Sequence, residues 1–337
     1  MDSLRTLREL IAIDSPSGFT TAASDYIYKE LDNLGWDVRR TVKGAVVAVN
    51  GANPRLGLAA HVDTLGVIVS KVRGDGNLLF SLLGGPLLNT FEGSYVRIYT
   101  RGGKVYTGTM LLNDPSVHAN RRSMSLERSP DTMHIRIDEE IHSPDDIKKL
   151  GIEVGNIIAF EPRYLELPSG YVKSHFLDNK AGCHVLLELA RRMKEENITY
   201  PVELFFSNYE EVGHGGAVGY ATSIEKLLVI DMGVVGDACD GSEVACSICA
   251  KDSSGPYDYD FRKELTDIAE KNSIPYAVDI YPFYSSDGSV ALLAGGDYRV
   301  ALIGPGVAAS HGMERTHVKA LTATVDLCMA YIKQQAG

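Results

Sequence analysis

The chain has 337 residues, 45% of them hydrophobic and 23% charged, which is typical of a globular protein with a large core and room for two domains. Its formal net charge of -11 argues against nucleic acid or an anionic membrane as the main partner, because phosphate binding needs a concentrated Lys and Arg surface. The N-terminus carries charges throughout and no long apolar run follows it, so a cytoplasmic protein without membrane segments is expected.

The N-terminal part of the chain predicts alternating helices and strands. Residues 2–13 repeat leucine and isoleucine on one face, which predicts an amphipathic helix with Asp2 as its N-cap. A second helix is expected to run to about Leu34, where Gly35 is a typical stop signal. The segments GAVVAVN and RLGLAA then predict two short buried strands, and the second leads into the sequence HVD.

From Gly66 to about Pro162 the pattern changes. Short β-like runs alternate with turns rich in Gly, Asn and Asp, and no convincing helix of three turns is found among them. This spacing predicts a compact β-barrel or sandwich. The long stretch NDPSVHANRRSMSLERSP is expected to be exposed or functional, because irregular loops of that length are uncommon.

From Val172 onward the α/β alternation returns. Asp178 is expected at the N-cap of a helix, and further helices are predicted near 258–271 and 317–334. Five segments predict strands: VELFFS, LLVIDMG, EVACSICA, YAVDIYP and YRVALIG.

The simplest organisation is one discontinuous α/β domain interrupted by an inserted β domain. The α/β domain comprises residues 1–65 and 166–337, and the insert comprises residues 66–165. The five cysteines are an odd number in a long chain, so reduced thiols are expected. The C-x-x-C pair of Cys246 and Cys249 lacks the second pair that a structural zinc site needs, and inward-facing strand residues explain it.

Five predicted buried strands lead into side chains that can bind a metal ion. In an open α/β sheet, ligands gather beyond the carboxyl ends of the strands. Two histidines, several carboxylates and no cysteine in these positions therefore indicate a hydrolytic metal centre. The side chains are His61 and Asp63, Asp178, Glu210 and Glu211, Asp231, and His311.

The adjacent pair Glu210 and Glu211 follows the apolar strand VELFFS. Two carboxylates at this point should not be buried without compensation. Adjacent side chains point in different directions, so one can bind a metal while the other faces the substrate as a general base. A charged loop is the simpler explanation, but the following Gly-rich turn VGHGG favours close backbone approach.

His61 and Asp63 combine an imidazole ligand with a carboxylate that can orient it. Alone, this pair is also typical of ordinary polar residues near a strand end. Asp178 has a strong alternative role as a helix N-cap, although one residue can both cap a helix and bind a metal.

Asp231 and His311 also have alternatives. Asp231 ends an apolar strand, where an unpaired carboxylate is costly, but it can equally be a cap or a turn residue before Gly233. His311 follows a Gly-Pro-Gly turn. His317 competes for the same role, but it is expected to start the last helix.

Taken together, two histidines and three carboxylates match the ligands of a pair of zinc or cobalt ions. Such a pair needs one bridging carboxylate and two terminal ligands for each metal. Two metals about 3.5–4 Å apart can hold and activate a hydroxide for attack on a carbonyl. The sequence therefore predicts two divalent metal ions per subunit.

These motifs resemble those of the dinuclear-metal aminopeptidases of the glutamyl-aminopeptidase and endoglucanase-M type, also called TET or deblocking aminopeptidases. AHVDTLG, FLDNKAG, NYEEVGHGGA and VIDMG are similar to the family's metal motifs in order and spacing. TMLLNDPSVHANRR and GIEVGNIIAFEP resemble its inserted β domain. The resemblance implies a mixed-sheet α/β metallopeptidase domain with an inserted small β-barrel that serves oligomerisation.

The resemblance also implies a role for each metal ligand. Asp178 would bridge the two metals. His61 and Asp231 would complete one site, and Glu211 and His311 would complete the other.

For catalysis, the resemblance implies that Glu210 is the general base and later the acid that protonates the leaving amine. Asp63 would orient His61. The expected substrates are short peptides, and the expected assembly is a homo-oligomer, often a tetrahedral dodecamer of dimers.

The chain departs from the family pattern in two places. VAASHGMERTH replaces the more usual RY-x-HSP-x-E, and Gly216 stands where relatives often carry a basic residue. Both changes lie near the expected substrate pocket, so the specificity of the common members is not assumed. The segment YSSDGS, with Ser286, Asp287 and Gly288, resembles the family's pocket-lining loop.

Three other functions compete with the aminopeptidase. A zinc deacylase or dipeptidase acting on N-acyl amino acids or a specialised small peptide is the nearest, but those enzymes usually carry their extra domain after the acidic motif. A glycosidase needs two separated carboxylates flanking the sugar, and Glu210 and Glu211 are adjacent. A shell-forming or peptide-binding protein with a dead centre would have lost a ligand or the base, and all of them are present.

Overall fold

A computed structural model of the chain describes residues 3–336. The chain divides into two compact units. One is discontinuous and comprises Met1–Asp63 and Arg163–Gly337, and the other comprises Thr64–Pro162.

The secondary structure follows the chain in three stretches. The elements of the first stretch are α1 (Arg5–Ala12), α2 (Thr21–Asn33), β1 (Asp37–Arg40), β2 (Val46–Asn50) and β3 (Leu56–His61). Those of the second are β4 (Gly66–Val72), β5 (Leu78–Leu83), α3 (Leu88–Phe91), β6 (Tyr95–Tyr99), β7 (Val105–Leu112), β8 (Met133–Ile137), α4 (Pro144–Leu150) and β9 (Ile157–Phe160).

The third stretch contains the remaining helices and strands. They are β10 (Leu165–Glu166), β11 (Tyr171–Ser174), α5 (Leu177–Glu195), β12 (Val202–Ser207), β13 (Lys226–Ile230), β14 (Gly233–Val235), β15 (Cys246–Asp252), β16 (Gly255–Pro256), α6 (Tyr259–Lys271), β17 (Tyr276–Ile280), α7 (Asp287–Leu293), β18 (Arg299–Ala308), β19 (Glu314–His317) and α8 (Val318–Ala336).

A 13-stranded mixed sheet forms the centre of the discontinuous unit, within the part of the chain that is described. Along its main path the strand order is β1-β2-β12-β3-β13-β18-β19-β11-β10. Strands β12, β3, β13 and β18 are parallel neighbours, and β2 joins β12 in antiparallel orientation. Every residue of β3 and β12 is buried, which explains their continuous apolar runs.

Amphipathic helices cover this sheet. Helix α1 buries Leu7, Leu10 and Ile11, and these side chains belong to the same core cluster as the buried residues of α5 and α8. The predicted first helix is therefore confirmed over Arg5–Ala12, while its expected N-cap, Asp2, lies outside the described residues. The helices predicted near 258–271 and 317–334 are α6 and α8.

The unit Thr64–Pro162 is a closed antiparallel barrel with the strand order β4-β5-β8-β7-β6-β9. A Cβ on Gly108 in β7 would lie 2.5 Å from the carbonyl oxygen of Arg136 in β8, so this close strand contact requires glycine. The helices within the unit are short, and α4 ends at Gly151 with a φ of 77°, a common helix stop. The predicted fold class, a mixed-sheet α/β domain with an inserted small β-barrel, is confirmed.

Three further expectations concern single features. All five cysteines are free thiols, and Cys246 and Cys249 are buried in β15, as expected for inward-facing strand residues. No helix among residues 3–336 is long and apolar enough to cross a membrane. The loop predicted at YSSDGS instead leads into helix α7, with Ser286 as its N-cap.

Candidate metal centre

Three parallel strands end at one edge of the sheet and place their following residues side by side. Strand β3 ends at His61, which pairs with Ser207, the last residue of β12. Strand β13 lies on the other side of β3 and ends immediately before Asp231. The carboxyl ends of parallel strands are where α/β proteins collect ligands.

The buried imidazole of His61 is surrounded by carboxylates. Its Nε2 lies 3.2 Å from Oδ1 of Asp178, 3.6 Å from Oε2 of Glu210 and 3.9 Å from Oδ2 of Asp231. Ligand atoms of His61, Asp178 and Asp231 all lie within 4.8 Å of one another.

A second group of ligand atoms adjoins the first and shares Asp178. The His311 Nε2 atom lies 3.6 Å from Oδ2 of Asp178 and 3.6 Å from Oε2 of Glu211. These three side chains also offer ligand atoms within 4.8 Å of one another. The structure thus brings together all five side chains predicted as metal ligands, with Asp178 common to both groups.

Crowding of carboxylates in a buried space makes their ionised forms costly. Burial raises the pKa of Glu210 and of Glu211 well above the usual range, and neighbouring carboxylates add to the rise. Burial also raises the pKa of Asp231 to about 7. Burial lowers the pKa of His61, but the surrounding carboxylates outweigh this effect and raise it well above 6.5.

The donor set suits divalent cations. Each group combines an imidazole nitrogen with two carboxylates, and one buried oxygen, Oε1 of Glu211, has no hydrogen-bond partner among the described residues. A cation bound beside these oxygens would offset the repulsion between the buried negatively charged carboxylates. Nitrogen and oxygen ligands of this kind are typical of zinc and cobalt.

Asp63 contacts the loop that carries Glu210 and Glu211 as well as His61. Its carboxylate accepts hydrogen bonds from the backbone N–H groups of Glu210, at 3.1 Å, and of Glu211, at 3.3 Å, and from the hydroxyl of Ser17. His61 Nδ1 lies 3.0 Å from the backbone oxygen of Asp63 and 3.6 Å from its carboxylate. Asp63 therefore links the ends of β3 and β12.

The expectation that Asp178 caps its helix is wrong. Asp178 and Asn179 have non-helical backbone angles. The side chain that accepts a hydrogen bond from a first-turn N–H is that of Asn179, whose Oδ1 lies 3.0 Å from the backbone nitrogen of Gly182. The amide of Asn179 also donates to the carbonyl of Ile230 at 2.9 Å. The Asp178 carboxylate faces His61 and His311 instead.

Ser286, Asp287 and Gly288 are buried at the start of α7. Asp287 accepts hydrogen bonds from the Ser207 hydroxyl and, at 2.6 Å, from the backbone N–H of Gly216. It thus ties α7 to β12 and to the loop after Glu211. The role of these residues in a substrate pocket stays a prediction.

Two residues near the centre were not predicted from the sequence, and His317 belongs to neither group of candidate ligands. Glu314 accepts hydrogen bonds from the backbones of Asp178 and His311, and nothing in the local sequence distinguishes it from a surface glutamate. Tyr284 has a buried hydroxyl, and the phenol is among the groups that lower the pKa of Asp231 against the rise caused by burial. His317 accepts from the N–H of Lys319 at the start of α8.

Comparison with known proteins identifies the family. The sequence profile described as M42 glutamyl aminopeptidase matches residues 44–327. The chain belongs to the M42 family. This M42 chain is 41% identical to YhfE of Bacillus subtilis (strain 168) over 337 residues, which cover 98% of this chain and 97% of that protein.

Other relatives are more distant. The glutamyl aminopeptidase of Lactococcus lactis subsp. cremoris (strain MG1363) is 26% identical over 225 residues, covering 64% of this chain and 62% of that protein. Among solved structures, Pyrococcus horikoshii TET1 superposes with a TM-score of 0.86 at 21% identity, covering 98% of this chain and 99% of that one. That likeness shows a common fold. As a member of the M42 family, the chain is a metal-dependent aminopeptidase, and the His, Asp and Glu cluster is its candidate metal site.

Proposed function

We propose that this M42 chain releases N-terminal amino acids from short peptides at a dinuclear centre of zinc or cobalt. The observation that carries the proposal is the position of Asp178, whose two carboxylate oxygens face different histidines. Oδ1 lies 3.2 Å from His61 Nε2, and Oδ2 lies 3.6 Å from His311 Nε2. A carboxylate with this geometry suits the bridging role.

The other four ligands form two pairs, and each pair forms a group with Asp178. His61 and Asp231 would hold one ion, and Glu211 and His311 would hold the other. Ions bound there would polarise the scissile carbonyl and lower the pKa of an attacking water.

Glu210 is proposed as the general base. Its side chain remains 14% exposed, whereas that of Glu211 is 3% exposed, so Glu210 keeps access to the space that a substrate enters. Its raised pKa, caused first by burial, suits a group that takes a proton from water and returns it to the leaving amine. Asp63 would hold both glutamates in place through their backbone N–H groups.

The relatives support the proposed substrate class and assembly. The Lactococcus lactis relative is a glutamyl aminopeptidase, and Pyrococcus horikoshii TET1 is described as assembling into a tetrahedron or a large octahedral shell. We propose a homo-oligomer for this chain too, built from dimers and with a dodecamer as the candidate assembly, in which the barrel unit Thr64–Pro162 contributes to the interfaces. Pocket residues Ser286, Asp287 and Gly288 would then influence which N-terminal residue is accepted.

The test combines metal analysis with a substrate panel. Purified protein is assayed for bound zinc and cobalt, and hydrolysis of a series of aminoacyl-anilides is measured before chelation, after chelation and after adding metal back. We expect two ions per chain, loss of hydrolysis on chelation and recovery on re-addition. Less than one ion per chain, or hydrolysis unaffected by chelation, would contradict the proposal. Preferential cleavage of N-acyl amino acids would favour a deacylase instead.

A further inference from the structure

Glu314 connects the two segments that carry Asp178 and His311. Its side chain is buried, with the residue 1% exposed. One carboxylate oxygen, Oε2, accepts from the backbone N–H of Asp178 at 3.0 Å, and the other, Oε1, accepts from the backbone N–H of His311 at 3.1 Å. A single carboxylate thus holds the backbones of two candidate ligands.

Two features of His311 make such support important. Its backbone φ is 62°, in the left-handed region that residues other than glycine rarely adopt. Its side chain is 39% exposed, so packing alone does not fix the imidazole. The turn is held at a second point, where the Nδ1 of His175 contacts the carbonyl oxygen of Gly312 at 2.5 Å.

The position of Asp178 is held by several contacts besides the one from Glu314. Its carboxylate lies against His61, and the next residue, Asn179, is bonded to the carbonyl of Ile230 and to the N–H of Gly182. The Asp178 side chain is also only 7% exposed, against 39% for His311, so loss of the bond from Glu314 should displace His311 further than it displaces Asp178.

We propose that Glu314 is a positioning residue that sets the affinity of the metal position completed by His311. The inference rests on the dinuclear function proposed above. Glu314 belongs to neither group of candidate ligands, and it acts by fixing where the imidazole of His311 stands relative to Asp178 and Glu211. Groups that orient metal ligands typically change metal affinity about 10- to 100-fold when they are removed.

The matching test is cobalt titration of metal-free Glu314→Gln. An amide keeps the shape of the side chain but replaces one acceptor oxygen with an N–H₂ group, which cannot accept from a backbone N–H. We expect the second cobalt equivalent to bind about 10- to 100-fold more weakly, and the first to change much less. The titration is followed by calorimetry and by the visible absorption of cobalt(II), so it does not depend on activity.

Kinetics provide a second measurement. Excess cobalt should restore kcat in Glu314→Gln, and KM for an aminoacyl-anilide should remain close to the wild-type value, because the pocket is unchanged. Equal weakening of both equivalents would overturn the proposal, since it would mark general loosening of the centre. Unchanged binding of both would overturn it as well.

The matched control is Glu243→Gln. Glu243 pairs with Arg315, the residue next to Glu314, through contacts of 2.6 and 2.8 Å, and it is not among the candidate ligands. This variant should bind both equivalents like the wild type. If Glu314→Gln does not fold, Glu314→Asp provides the test, because the shorter carboxylate cannot reach both N–H groups together.

The titration separates failure of the inference from failure of the proposed function. Wild-type protein that binds fewer than two cobalt ions would contradict the dinuclear centre itself. Wild-type protein that binds two, with Glu314→Gln binding both equally well, would contradict only the role of Glu314.

Discussion

Glu210 and Glu211 are neighbours in the chain, but their side chains have different surroundings. The Oε2 of Glu210 faces His61 at 3.6 Å, and the Oε2 of Glu211 faces His311 at the same distance. Glu211 also has a buried oxygen without a hydrogen-bond partner in the described part of the chain. This is expected of a side chain that binds a cation. The greater exposure of Glu210 leaves that carboxylate available to water and substrate.

Glu210→Gln should therefore separate proton transfer from metal binding. We expect kcat for an aminoacyl-anilide to fall about 10²- to 10⁴-fold, because the amide cannot take a proton from water. Metal content per chain should stay at the wild-type level. In the paired variant Glu211→Gln, the affinity for metal should fall instead. A Glu210→Gln enzyme that hydrolyses at the wild-type rate would exclude Glu210 as the base.

The residues predicted from sequence share one property, which is that each follows a recognisable strand or turn. His61, Asp231 and the glutamate pair come directly after apolar strands, so local pattern was sufficient to single them out. Glu314 has no such signal, and Asp287 was singled out only because YSSDGS resembles a loop of the family. Their importance comes from hydrogen bonds to residues far along the chain, such as those that join Glu314 to Asp178, and only the folded structure brings these partners together.

At the scale of elements, the start of α5 shows where local pattern misleads. Asp is a good N-cap, so Asp178 was the predicted cap, and Asn179 was not considered. The fold uses Asn179 to bond Gly182 and turns Asp178 toward His61. Apolar periodicity predicted α1, α6 and α8 well, because each buries one face in the core. Helix α7 has only seven residues, and apolar periodicity did not predict it.

The contact between α1 and α5 includes a buried histidine, which makes stability depend on pH. His184 Nδ1 lies 2.6 Å from the hydroxyl of Thr6, and burial lowers the pKa of His184 from 6.5 to about 4. As the pH falls below 6.5, the unfolded chain takes up a proton at this position and the folded chain does not. The stabilising contribution is therefore complete above pH 6.5 and is lost as the pH falls toward 4.

His184→Asn removes this titration while keeping a polar side chain opposite Thr6. Between pH 7.5 and pH 5, the free energy of unfolding of the wild type should fall by about 2 kcal/mol more than that of the variant. Urea denaturation of metal-free protein at the two pH values measures the difference. The control His142→Asn changes a histidine whose side chain is 80% exposed, and it should follow the wild type. Parallel pH dependence in wild type and His184→Asn would contradict the assignment.

At the scale of the whole molecule, the α/β domain and the inserted barrel were easier to predict from the sequence than the arrangement of side chains at the metal centre. The change from α/β alternation to short strands and turns is a property of about a hundred residues, so single exceptions do not obscure it. The closed barrel and the mixed sheet both follow that pattern. The centre depends on a few side chains, and it draws them from strands and helices that are distant in sequence.

The carboxylates at the centre should make the stability of the discontinuous unit depend on metal. Metal that binds only the folded state stabilises it by about 2.7 kcal/mol at a free concentration 100-fold above the dissociation constant. For a unit of this size, we expect calorimetry to show a melting transition raised on the order of 5–10 °C by added cobalt or zinc and lowered again by chelation. Because the pKa of Asp231 is raised to about 7, binding near neutral pH should also release protons.

Asp231→Asn is the variant that tests this linkage. It removes one ligand and one of the mutually repelling buried carboxylates, so most of the metal-induced shift should disappear, while the metal-free protein should melt no lower than metal-free wild type. Glu140→Gln, which changes a carboxylate whose side chain is 92% exposed, should retain the full shift. If the melting temperature of Asp231→Asn still rose by the full amount on adding metal, the stabilising ions would be binding elsewhere on the protein. Asp231 would then no longer be a candidate ligand.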